Sequence, residues 1–304
     1  MEPVFTEIDQ ITNLDVMGRG NRLLYWAARG STPLCLRAAK LIRDSIEKGG
    51  TVILTSGFPV IPNRRPETDG PPGAAVLAMA VKTLGATPVF VTDELSLNVH
   101  AALAKEVGLK GVEIKTVPVD FVKARETCRS ILREHDPSLL IAVERPGGNK
   151  AGIYRNMRGE DISSLVGKVD PMFVDAARRR IPTIGIGDGG NEIGMGNVFR
   201  AVERYIPRGR SIASRTRVRS LVVSAVSNWG AYGVVAALSI ITGRQLMHDA
   251  GLERRMIETC VRSGAVDGVT KRVEYGVDGL PSGFHERVVW VLRFMVDRAL
   301  EEAE

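Results

Sequence analysis

The sequence predicts an α/β fold: a mostly parallel sheet flanked by helices, a Rossmann-like three-layer sandwich with long active-site loops. Three observations carry that expectation. Apolar runs of strand length alternate with amphipathic runs of helix length, the pattern of parallel strands covered on both faces. Four of the strand-like runs empty into polar, glycine-rich loops, and an open parallel sheet binds its ligand at the carboxyl ends of its strands. No Pro/Gly/Ser linker divides the series, so the 304 residues read as a single domain, 1–304, with ample core.

Taken in order, residues 1–50 form a helical lead-in. Within it, "STPLCLRAAKLIRDSIEKGG" offers Ser31 or Thr32 as a cap, Pro33 in the first turn and Gly49–Gly50 as the stop. "TVILTSG" is a buried strand, followed by the loop "FPVIPNRRPETDGPPG" and the helix "AAVLAMAVKTLG". The alternation continues with strand "TPVFVTD", helix "SLNVHAALAKEVG", strand "VEIKTVPV" and helix "DFVKARETCRSILREH", for which Asp120 is the expected cap. "SLLIAVE" is a strand, "DPMFVDAARRR" a short helix and "IPTIGIG" the next strand. "VRSLVVSAVSNWG" reads as a strand and loop, "GAYGVVAALSIITG" as a helix, and His285 to Ala303 as helical.

Composition narrows the class. Apolar residues make up 44% and charged residues 25% of the chain, as in an ordinary soluble enzyme. The formal charge of +6 comes from 41 basic and 35 acidic residues, densest over 204–220. That run has one aromatic, Tyr205, which is poor support for a stacking platform, so a solvated basic loop is the better reading and no nucleic-acid partner is expected. Cys35, Cys128 and Cys260 are scattered and form no CxxC pair. The acidic start lacks the order of a signal peptide, and no apolar run reaches the ~20 residues of a membrane span. A cytoplasmic protein without a membrane partner is expected; a homo-oligomer is left open.

Four loops carry the polar chemistry: "SGFPVIPNRRPETDGPPG", "ERPGGNKAGIYRNMRG", "GDGGNEIGMGN" and "SNWGAYG". Gathered at one sheet edge, they bring Glu67, Asp69, Glu144, Arg145, Asn149, Tyr154, Asn156, Asp188, Asn191, Glu192 and Asn228 into one pocket. Glu67 and Asp69 also stand where a carboxylate caps the following helix. The glycines Gly185, Gly187 and Gly190 match GxGxxG, yet the motif arrives late in the chain and contains Asp188, whose charge opposes a pyrophosphate. Asp188, Asn191 and Glu192 suit an amino-acid substrate or a hard cation such as magnesium or manganese. A turn in which they bond their own backbone is the plainer alternative. The four histidines lack paired ligand spacing, and no serine lies in GxSxG.

Together "ETDGPPG" (67–73), "ERPG" (144–147), "YRNMRG" (154–159), "GIGDGGNEIGMG" (185–196) and the late "DGV" and "DGL" (267–269, 278–280) resemble the D-glutamate cyclase C-terminal-like family over about residues 10–300. The resemblance implies a hydro-lyase that converts D-glutamate to 5-oxo-D-proline and water, with a small amino acid as substrate. It does not by itself align catalytic residues. In that reading Asp69 or Glu192 serves as base and Asp188 or Glu67 as acid, with Asp69 and Asp188 the preferred pair. Backbone N–H groups at Gly189 and Gly190, or Asn191, face the oxyanion, and Arg145 or Arg155 holds the α-carboxylate. Asn149, Tyr154, Asn156 and Asn228 complete the binding set. No cofactor is certain; a divalent cation, magnesium or manganese, would polarise the γ-carboxyl. The alternatives are a non-catalytic amino-acid-binding protein and a nucleotide-dependent enzyme acting on a carboxylate.

Overall fold

The computed structural model describes residues 2–302. Three helices, α1 (Glu2–Thr12), α2 (Asn21–Ala28) and α3 (Leu34–Ile46), precede strand β1 (Thr51–Ser56). A short ribbon, β2 (Pro59–Val60) with β3 (Arg65–Pro66), leads into α4 (Pro71–Thr83). The alternation then runs β4 (Thr87–Thr92), α5 (Leu97–Glu106), β5 (Glu113–Thr116), α6 (Phe121–His135), β6 (Leu139–Val143), α7 (Asp170–Arg178) and β7 (Thr183–Gly187). Two short helices, α8 (Phe199–Tyr205) and α9 (Gly209–Ile212), lead to β8 (Ser220–Val223), α10 (Ser227–Thr242) and α11 (Ala250–Arg262). A second ribbon, β9 (Gly276–Val277) with β10 (Leu280–Pro281), precedes α12 (Ser282–Glu301). Ala303, the expected end of that helix, lies outside the described residues.

The six-stranded sheet has the order β5-β4-β1-β6-β7-β8, and every pairing in it is parallel. The chain therefore runs outward from β1 in one direction and, after β5, returns to build the other half. The reversal falls between β1 and β6, and a ligand crevice opens where the loops beyond two such strands part. The right-handed rule for parallel crossovers puts α4 and α7 on opposite faces, and α4 packs on α5 and α10 while α7 packs on α6, the expected three-layer sandwich. Strands β1 and β6 are almost wholly buried.

Helix α10 is the central strut. It packs against α3, α4 and α12, and its residues from Ser227 to Ser239 are all buried. A helix apolar all round has no solvent face to offer. It begins at Ser227, so "SNW", expected as loop, is instead its first turn. The cap expected at Ser31 or Thr32 is also corrected. Neither side chain caps α3; the carboxylate of Asp9 in α1 accepts from Leu34 N at 2.6 Å and Cys35 N at 3.0 Å. A long-range partner supplies what the local sequence does not. Asp120 does cap α6, accepting from Lys123 N at 2.9 Å. Among the described residues no helix is long and apolar enough to cross a membrane.

Candidate active site

A cavity of about 410 Å³ opens beyond the carboxyl ends of β1, β6 and β7. Five carboxylic acids line it: Glu67, Asp69, Glu144, Asp188 and Asp278. All five are buried. The loop after β1 supplies Glu67 and Asp69, the end of β6 supplies Glu144, and the end of β7 supplies Asp188. Asp278 comes from the tip of the β9–β10 ribbon, and Arg19 reaches in from the α1–α2 loop.

Two helix starts are tied together at this floor. Asp69 precedes α4 but caps α10: its carboxylate accepts from Ser227 N at 2.9 Å and Asn228 N at 2.8 Å. Asn228 returns the bond, its Oδ1 accepting from Gly70 N and Gly73 N at 2.9 Å each. Each helix thus satisfies the free N–H groups of the other. Gly70 sits at φ +99°, and a Cβ there would meet Ser56 Oγ at 2.6 Å and Glu144 Cβ at 2.7 Å. Both the dihedral and the close approach require glycine.

Glu144 holds the left-handed φ of 43°, a conformation that costs a non-glycine residue about 1–3 kcal/mol. The β6 ladder maintains it through Glu144 N donating to Ile186 O at 3.0 Å. Its Oε2 accepts from Ser227 Oγ at 2.5 Å. Glu144 therefore faces the cavity with one oxygen fixed to the first residue of α10.

The glycine-rich loop after β7 is closed from within. Glu192 Oε1 accepts from Gly189 N at 2.6 Å and Asp188 N at 3.2 Å, and Oε2 from Gly190 N at 2.7 Å. These donors are the ones a phosphate or an oxyanion would use. Glu192 supplies their anion itself, so the expected oxyanion role of Gly189 and Gly190 has no free donor. Gly189 still lines the cavity.

Arg19 pairs with two of these acids. Its Nη2 lies 2.7 Å from Asp188 Oδ2 and 2.9 Å from Asp278 Oδ2, and it also donates to the carbonyl of Ala225. Burial pushes Asp188 up to about 7 and Asp278 up to about 6, with Arg19 pulling each back. Burial raises Glu67, Asp69 and Glu144 well above the usual carboxylate range, and neighbouring acids add to it. Backbone donors counteract the effect at Asp69. Glu67 Oε1, by contrast, is buried without a partner.

The acids offer cation sites. Oxygens of Asp69, Asp188 and Asp278 lie within 4.8 Å of one another, as do those of Glu144, Asp188 and Glu192. An all-oxygen set suits a hard divalent cation, although Arg19 already bridges two members of the first trio.

The other expected binding residues divide into two groups. Asn156 and Asn191 line the cavity, with Asn191 Nδ2 donating to Arg155 O at 2.8 Å. Arg145 is fully buried beneath the site, 2.7 Å from Asp93 and donating to Gly57 O and Gly167 O. Tyr154 donates to Asp170, Arg155 donates to Gly159 O at 2.6 Å, and Asn149 bonds Ser211 O, Ala151 N and Ile153 N. These four shape the loops and lie outside the cavity lining, as does Asn228. The sequence reading gave no role to Arg19, Asp278 or Lys271, all of which line the cavity, as does Arg158. The repeated Asp-Gly of "VDGV" and "VDGL" was the available signal for Asp278; an arginine between two glycines carried none for Arg19.

The chain is 31% identical over 289 residues to human D-glutamate cyclase, mitochondrial, an alignment covering 83% of this chain and 46% of the relative. The chain thus spans about half the length of that protein. Among solved structures, RecJ in complex with Mn2+ from Thermus thermophilus is similar at 12% identity and a TM-score of 0.39, over 95% of this chain and 43% of RecJ. A Serratia marcescens short-chain dehydrogenase/reductase is similar at 13% identity and a TM-score of 0.30, over 82% of this chain and 91% of the other. Likenesses of that size carry no argument about chemistry. The family described as D-glutamate cyclase-like, C-terminal, matches residues 8–293, and the chain belongs to that family.

Proposed function

We propose that the protein is a hydro-lyase that cyclises D-glutamate to 5-oxo-D-proline and water. The observation that carries the reading is one cavity lined by five buried carboxylic acids whose environments differ. The family and the human relative's name supply the substrate.

Glutamate arrives in the wrong protonation state. Its ammonium cannot attack until it loses a proton, and its γ-carboxylate resists attack until it gains one. A wall of unequal acids addresses both needs. Asp69 accepts backbone N–H bonds that favour its anion, so it takes the ammonium proton. Asp188 and Asp278, crowded against each other and Arg19, share a proton near neutral pH and pass it to the departing oxygen. Glu67, with no donor on Oε1, stays protonated and limits the charge of the wall.

Glu144 presents its outer oxygen to the reacting carboxyl while Ser227 holds the other. Arg158 and Lys271, at the cavity rim, oppose the α-carboxylate in place of Arg145 and Arg155, whose bonds lie elsewhere. Glu192 keeps Asp188 in position by fixing its loop. Holding the chain folded for ring closure contributes the positional part of the acceleration. A magnesium or manganese ion held by Asp69, Asp188 and Asp278 would displace Arg19 and the shared proton, and would supply charge stabilisation at the γ-carboxyl in place of that acid.

The test follows [5-13C]D-glutamate by carbon NMR in the presence of the purified chain, with and without each metal. Conversion of the carboxylate resonance to a lactam carbonyl is expected; an unchanged resonance with folded protein in every condition rejects the reading.

A further inference from the structure

We infer that the same site cyclises γ-glutamyl amides, releasing an amine where free glutamate releases water, and that an apolar amide substituent makes the better substrate. The inference rests on the cyclase reading and adds a substrate class to it.

The cavity is larger and less polar than glutamate requires. Its ~410 Å³ falls within the ~300–1,000 Å³ that encloses drug-sized ligands. The floor is carboxylic, and Asp188 there is 6% exposed. Toward the mouth, beside Arg158 and Lys271, stand the apolar Met157, 40% exposed, and Val269, 38% exposed. Phe58, Val60, Ile61 and Ile206 add apolar surface to the cavity lining. Free glutamate has two carboxylates and an ammonium, and nothing with which to cover that surface. An alkyl group on the γ-amide nitrogen would lie against it and remove it from water.

The electrostatics favour the same class. A free γ-carboxylate must approach five acids and then be protonated before its oxygen can leave. An amide is neutral at that carbon and already has a leaving group that needs only protons. In the step, the ammonium of the substrate gives a proton to Asp69, and the amine attacks the amide carbonyl carbon. The ring C–N bond forms, a second proton leaves the attacking nitrogen, and the bond to the substituted nitrogen breaks with its electron pair going to that nitrogen. The Asp188–Asp278 pair gives it one proton and takes up the second proton of the attacking nitrogen, and Asp69 passes its proton to the departing amine. Two protons leave the attacking nitrogen and two reach the departing one, so 5-oxoproline and an alkylammonium ion form without redox change or a co-reactant.

The experiment supplies the purified chain with γ-D-glutamyl-n-butylamide and, separately, D-glutamate, with enzyme-free blanks for each. Butylamine and 5-oxo-D-proline are both quantified. The expected kcat/KM for the butylamide exceeds that for D-glutamate by at least about ten-fold, the scale of small apolar groups in a fitted pocket. Met157→Trp, which narrows the mouth, is expected to lower the ratio of the butylamide kcat/KM to that for D-glutamate, and an unchanged ratio overturns the inference. Cyclisation of D-glutamate with an inert butylamide overturns the inference and spares the cyclase reading. Butylamine accompanied by D-glutamate rather than 5-oxoproline also overturns it, since that is hydrolysis. No product from either compound overturns both.

Discussion

The guanidinium of Arg19 lies 2.7 Å from Asp188 and 2.9 Å from Asp278, one cation shared by two buried acids from distant parts of the chain. Both carboxyls still sit above their unfolded values, at about 7 and about 6, because burial outweighs the pairing. A raised acid contributes its full stability below the unfolded value of about 3.9 and loses it as pH rises through the folded one. The pair therefore stabilises the fold less at pH 8 than at pH 4. Arg19→Gln removes the cation that lowers both acids, so each rises further. Thermal melts from pH 4 to 8 are expected to show a mutant deficit that widens with pH. The alkaline limb of kcat/KM is expected to move up by about one pH unit or more. A deficit independent of pH would contradict the shared-proton assignment.

Ser227 tests the role of Glu144. Its hydroxyl donates to Glu144 Oε2 at 2.5 Å, and Ser227→Ala leaves that oxygen without its donor while the backbone cap from Asp69 remains. The expected result is a fall in kcat of about ten-fold or more with little change in KM, since acid–base contributions reside in the transition state. A matching loss in Tm without a change in kcat would make the bond structural only.

Gly70→Ala is expected to be among the most destabilising single changes in the site. It puts a Cβ 2.7 Å from that of Glu144 at a backbone φ of +99°. Strain and overpacking together are expected to cost about 3 kcal/mol or more, read from urea unfolding. A cost below about 1 kcal/mol, too small for either term, would mean that the loop relaxes freely.

The ribbon bearing Asp278 hangs on a histidine. Trp229 Nε1–H donates to His285 Nδ1 at 2.9 Å, leaving Nε2–H to face the carbonyls of Val277 and Leu280 at 3.2 and 3.3 Å. Burial lowers His285 below its ordinary value, which keeps the imidazole neutral in this arrangement. His285→Ala removes three partners and is expected to cost about 1–3 kcal/mol. Amide exchange is expected to rise across the β9–β10 ribbon, residues 276–281. Protection unchanged there would contradict the anchoring role.

The fold was legible in the sequence because parallel strands buried on both faces read as unbroken apolar runs, as in "LLIAV" and "TIGIG". What local sequence could not show was long-range capping. Asp9 serving α3 replaces the neighbour-based cap expected at Ser31 or Thr32, and Asn228 serves α4, where Glu67 or Asp69 was expected, while Asp69 serves α10. The site was legible where acids follow a strand directly, as with Asp188. Arg145 and Tyr154 carried the composition of a substrate loop, but their partners Asp93 and Asp170 lie in other segments. Glu192 sits in a motif that suggests an open anion cradle, and only the folded loop reveals that it fills the cradle itself.

Chiral chromatography of the products formed from D- and L-glutamate is the most direct measurement of the central claim. The wild-type chain is expected to yield 5-oxo-D-proline from D-glutamate, and Asp188→Asn at least about a hundred-fold less. Equal yields from wild type and Asp188→Asn, or no 5-oxoproline from folded wild-type protein, would contradict it.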